Sequence, residues 1–126
     1  MNMKLNIDNY YELLALHRSM MAVKFDPNSC LAEAQGSPFT GSLAFKIFDL
    51  LLNHFKEQGN TKEIDAWLSW QMADKTNSET KLLLDHIKKA EWWNEASSEN
   101  KEKFIIDFMA PLKLNPRLQD EIIKSS

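Results

Sequence analysis

The stretch "FKIFDLLLNHFKEQ", residues 45–58, constrains the fold of this chain more than any other. Placed on a helical wheel at about 100° per residue, Leu43, Ala44, Phe45, Ile47, Phe48, Leu50, Leu51, Leu52 and Phe55 cover more than half the circumference. Lys46, Asp49, Asn53, Lys56 and Glu57 leave one wet strip. A helix apolar over that width must be covered on two sides. Residues 42–58 are therefore predicted to form the central helix of a bundle, with Gly59 just past its end.

The remaining chain supports helices and no sheet. There are only three glycines and one valine, Val23, and no Asn-Gly or Asp-Gly pair. Strands favour β-branched residues and tight hairpins favour those dipeptides. Apolar residues recur instead at helical spacing. A first helix is expected from Asn9 to Lys24, with Asp8 or Asn9 as its cap and Glu12 completing a capping box. A short helical turn is expected over residues 29–35. Asn60 and Glu63 form a second capping box, opening a helix that runs to about Ala73. Ser78 is expected to cap a helix over residues 79–95, and Ser97 or Ser98 another ending near Pro111. Asn115-Pro116 reads as the start of a last helix carrying Leu118, Ile122 and Ile123. The prediction is an irregular all-α bundle of six or seven helices forming a single domain, 1–126, with 1–7 a flexible N-terminus and 25–41 a long loop.

Size and charge narrow the function. A chain of 126 residues buries roughly two thirds of its unfolded surface, so it needs neither disulfide nor metal to fold. The formal net charge of −3 is spread over both halves. No basic stripe of the kind a duplex-binding surface carries is present, so no nucleic acid partner is expected. No apolar run is long enough for a membrane span or a signal peptide. Cys30 is the only cysteine, which suits a reducing compartment, and a cytoplasmic location is expected.

The tryptophans pose the sharpest question. If "AEWWNEASS", residues 90–98, continues a helix, Trp92 and Trp93 point about 100° apart. Trp93 then joins the stripe of Leu82, Leu83 and Ile87, while Trp92 falls between Asp85 and Lys88. Trp70 likewise lies off the edge of the Ile64, Trp67 and Leu68 stripe. A lone exposed indole leaves a large apolar area wet. Either the last helix folds back over Trp92 or Trp70, or the two indoles anchor an interface, where tryptophan is enriched.

Chemistry is sparsely signalled. His17, His54 and His86 fall inside the apolar arcs of three different helices. Three inward imidazoles, with Glu12, Asp49 or Asp85, are a candidate ligand or transition-metal site. The recurring helical metal spacings, Glu-x-x-His and His-x-x-x-His, are absent. "GSPFTGS", residues 36–42, has the glycine spacing of a phosphate loop, but Ser42 stands where that motif needs lysine and Leu43 where it needs a hydroxyl. Thr40 or Ser42 is read there as a helix cap. Cys30 has no base placed beside it by the pattern and is read as a small apolar residue. Gln71 lies in an apolar arc, where its amide must bond either a histidine or a loop carbonyl; Arg18 also stands apart from the ordinary surface pairs.

No cofactor and no catalytic residue follow from these residues. The expected function is a non-catalytic interaction module that binds another protein or a second copy of itself, with Trp70 and Trp92 as contact residues. The alternative is a ligand- or metal-binding bundle, or an enzyme, built on His17, His54 and His86.

Overall fold

A computed structural model of the chain describes residues 3–28 and 35–125. Six α-helices lie among them: α1 (Tyr10–Lys24), α2 (Pro38–Glu57), α3 (Thr61–Gln71), α4 (Ser78–Lys89), α5 (Ser98–Met109) and α6 (Pro116–Lys124). The all-α architecture agrees with the helical spacing of the apolar residues. One element departs from it. Met72–Ala73 (β1) and Lys113–Leu114 (β2) pair in parallel, a two-residue ladder. It is too short to show a strand period in the sequence, and it clasps the end of α3 to the chain between α5 and α6.

The caps explain most helix starts. Asn9 accepts from the Tyr11 amide at 2.7 Å, Asn60 from Glu63 at 3.2 Å, Ser97 from Asn100 at 3.1 Å and Asn115 from Arg117 at 2.9 Å. Each side chain satisfies one amide that the first turn leaves without an intrahelical partner. Asn77, rather than Ser78, occupies the cap position of α4. Gly59 sits past α2 with φ 65°, in the left-handed region that glycine tolerates.

Two boundaries differ from expectation. The central helix starts at Pro38, because Ser37 caps it by accepting from Phe39 and Thr40. The glycine-spaced segment therefore lies largely inside a helix, and neither Thr40 nor Ser42 is its cap. The loop expected over 25–41 is shortened to match; Cys30 and the helical turn expected over 29–35, save Gln35, lie outside the described residues. The second difference is at α4, which ends at Lys89 rather than Glu95, with Ala90 extended. Trp93 then begins a 3-10 turn, Trp93–Glu95. Breaking the helix here buries Trp93 to 3 % exposure, so the two tryptophans are not neighbours on one helix.

The core has two buried clusters. One gathers Leu13, Ile47 and Leu51, with Ile7, Tyr10, Leu16, Met20 and Trp67 packed round them from α1, α2 and α3. The other gathers Ala73, Leu83, Trp93, Ile105, Phe108, Met109, Leu112, Leu114 and Ile122. The last helix puts its apolar stripe into this second cluster, with Leu118 and Ile123 packed beside Ile122.

Two buried polar side chains hold the seam around the cis Ala110–Pro111 peptide. In an α-helix the Asp107 carbonyl would accept from residue 111, but that residue is proline and has no N–H. Lys24, fully buried at the end of α1, donates its Nζ to this carbonyl at 2.6 Å. A cation is well placed at the C-terminal end of a helix. The Pro111 carbonyl in turn accepts from Gln71 Nε2 at 2.9 Å, so Gln71 bonds a loop carbonyl rather than a histidine. Gly41 meets the same place from α2: a Cβ there would lie 2.9 Å from the Asp107 oxygen. The second glycine of "GSPFTGS" serves close helix approach.

Candidate functional site: an aromatic groove between two helices

α1 and α3 both pack on α2, and a groove of about 580 Å³ runs between them. Along α1 it is lined by Tyr10, Leu14, His17, Arg18 and Met21. These positions follow the three- and four-residue steps that share a helix face. Glu63, Ala66, Trp67 and Trp70 line the α3 side by the same rule, and Glu79 of α4 completes the wall.

His17 is the buried centre of this groove, at 5 % exposure. Its ring stands edge-on to Trp67 and Trp70, with centroids 5.2 and 5.3 Å away. Phe48 of α2 backs both indoles at 6.2 and 6.0 Å. Burial, and to a lesser degree the nearby Arg18 charge, hold the His17 pKa below its ordinary value. Both causes favour the neutral imidazole, which has one nitrogen able to accept a hydrogen bond. Among the described residues it makes none. Nor do Arg18, Glu63 or Glu79 form an ion pair among those residues.

The three histidines go to three places. His54 stacks on Tyr10, with centroids 4.7 Å apart, and borders a different depression lined by Ile7, Leu13 and Asn53. His86 rests against Phe108 at 4.9 Å, in the second core cluster's margin. Among the described residues no three His, Cys, Asp or Glu side chains are grouped to hold a metal ion. Each imidazole has found an aromatic partner on a neighbouring element, which explains its inward position without a shared ligand.

Both surplus indoles stay partly exposed. Trp70 leans on His17, Phe48 and Trp67 and stays 39 % exposed. Trp92 packs edge-on to Phe104 of α5 at 5.1 Å and stays 44 % exposed. The two sites differ: Trp70 lines the groove, whereas Trp92 meets Trp93 and Phe104 edge-on. Sequence reasoning singled out Trp70 and His17 separately and missed that they meet. Lys24 was missed outright, since a lysine ending an amphipathic helix reads as solvated.

No helix among the described residues is long and apolar enough to cross a membrane. No known protein family, curated protein or solved structure matches the chain.

Proposed function

We propose that this chain is a non-catalytic interaction module that binds another polypeptide through the α1–α3 groove. The observation that carries the reading is the half-exposed Trp70 standing over the buried, hydrogen-bond-free His17 in a groove that the chain's own side chains leave open. A rigid indole at the edge of a desolvated pocket is the usual form of an interface anchor. The occupant is a partner protein or a second copy, and Trp92 is a second, outlying contact.

The test is the mass in solution of the wild type, Trp70→Ala and Trp92→Ala. A dimer lost in Trp70→Ala supports self-association through the groove. If all three are monomers, a photo-crosslinker at Ala66, which lines the groove, is used to capture a partner in wild-type and Trp70→Ala backgrounds. Crosslinking to one defined partner, lost with Trp70, supports the reading. Mass and crosslinking both indifferent to Trp70 overturn it, as does stoichiometric transition metal in the purified protein.

A further inference from the structure

We propose that the groove is closed by the same groove of a second copy of this chain, related by a twofold axis that runs along it; this rests on the reading of the groove as an interaction surface and names its occupant. The argument begins with how charge is divided between the walls. Arg18 is the guanidinium on the α1 wall, and Glu63 of α3 and Glu79 of α4 are the carboxylates facing it. The Arg18 charge acts on the His17 ring and neither carboxylate does, so the guanidinium stands at the α1 lip, apart from both. Among the described residues neither carboxylate forms an ion pair. Glu79 accepts from the neighbouring Ser78 hydroxyl at 3.4 Å, which leaves its charge uncompensated. A half-turn about an axis along the groove sets each α1 wall over the other protomer's α3–α4 wall. Arg18 of each copy then faces the partner's Glu63 and Glu79, and the reverse. An axis across the groove would instead set Arg18 against Arg18.

The level of these charges along the groove agrees. Arg18 follows His17, whose ring meets Trp67 and Trp70, and Glu63 lies one turn, about 5.4 Å, before Trp67. The rims are also low enough for two grooves to meet. Ala15, Ser19 and Ala22 are exposed on the outer side of α1, and Ala66 and Ser69 on that of α3. Their three- and four-residue steps keep each set on one face. Small side chains at a contact let helix axes come close. Hydrogen-bonding capacity is mixed in the same self-matching way. The buried imidazole, at 5 % exposure, has no partner among the described residues, and beside it stand the donors Arg18, Tyr10 and the Trp70 indole. A surface that holds unpaired donors and acceptors together is matched by a copy of itself, which also covers the exposed part of Trp70 in both protomers.

Charge reversal with mixing tests this on the full chain by sedimentation equilibrium at pH 7. The samples are wild type, Arg18→Glu, the double variant Glu63→Arg/Glu79→Arg, and an equimolar mixture of the two variants. None of these positions is in the buried core, so circular dichroism should match wild type. Wild type is expected to be a dimer that weakens with added salt. Each reversed chain alone should dimerise at least roughly tenfold more weakly, because like charges then face each other. The mixture should regain the wild-type affinity, since both halves of the mixed dimer again pair opposite signs. If a reversed chain is unfolded, Arg18→Gln takes its place and is expected to weaken the dimer; an unchanged dimer overturns the proposal. A monomeric wild type overturns it, as does a dimer indifferent to reversal or a mixture no tighter than the separate variants. Any of those results with Trp70-dependent crosslinking to another protein at Ala66 defeats the second copy alone; loss of Trp70 dependence as well defeats the interaction surface itself.

Discussion

Trp93 and Trp70 are the same residue type in two regions built on opposite terms. Trp93 lies 3 % exposed in a cluster closed by α4, α5, α6 and the β1–β2 clasp. Lys101 lies over its ring at 5.2 Å and reaches the Ile123 carbonyl at the end of α6. Trp70 is backed on one side only, by Phe48 and His17, and is 39 % exposed. Both regions bury aromatic rings, but only the first surrounds them. A closed cluster invests its apolar area in stability, whereas an open one keeps area for something that arrives later. Function is therefore expected where the packing stops short.

The contrast can be broken at several points. Phe108 is fully buried between Phe25, His86 and Phe104. Phe108→Ala should cost about 3–5 kcal/mol in urea unfolding, against less than about 1 kcal/mol for Trp70→Ala. Equal losses would erase the distinction between the regions.

The seam responds to pH. Burial lowers the Lys24 pKa from 10.5 to about 8, with the Asp107 charge opposing the shift. The unfolded chain then holds this proton more tightly than the folded one. Stability should accordingly rise as pH passes through about 8 towards 10.5, and the cost is present in full below that window. The total approaches roughly 3 kcal/mol, measured as the difference between wild type and Lys24→Met at each pH. A difference independent of pH would mean that the ammonium is not desolvated. Gly41→Ala, at the same seam, should cost about 1–3 kcal/mol by pushing α2 off the Asp107 backbone. The groove responds to pH as well. His17 is harder to protonate folded than unfolded, so stability should fall as pH drops below its ordinary 6.5. His17→Gln should remove that component from an acid titration followed by circular dichroism.

The parts legible in the sequence are those decided locally. The broad apolar arc of residues 43–55 reports a helix covered on two sides, and α2 does pack against α1, α3 and α5. Asn9, Asn60, Ser97 and Asn115-Pro116 mark helix starts because capping needs only a few consecutive residues. The break after Lys89 carries no glycine or proline; it is decided by the burial of Trp93 against α5 and α6, residues distant in sequence. Lys24 gives no local sign that it is buried, because its partner is a carbonyl orphaned by Pro111 on another helix. The groove is legible only in pieces. His17, Trp67 and Trp70 each look like edge residues of their own stripes, and their meeting depends on how two helices lie on a third.

The clasp at Met72–Ala73 and Lys113–Leu114 also bears on the order in which the molecule assembles. Gln71 and Pro111, joined beside it, are 40 positions apart in the chain. Bringing such distant segments together costs loop-closure entropy before any contact returns it. That cost falls once α4 and α5 have formed and shortened the path between the ends. The clasp is thus expected to close late in folding, with mutations at Gln71 speeding unfolding more than they slow folding. A stopped-flow comparison of wild type with Gln71→Leu would read this directly, and it would identify the two-residue ladder as the fold's final fastening.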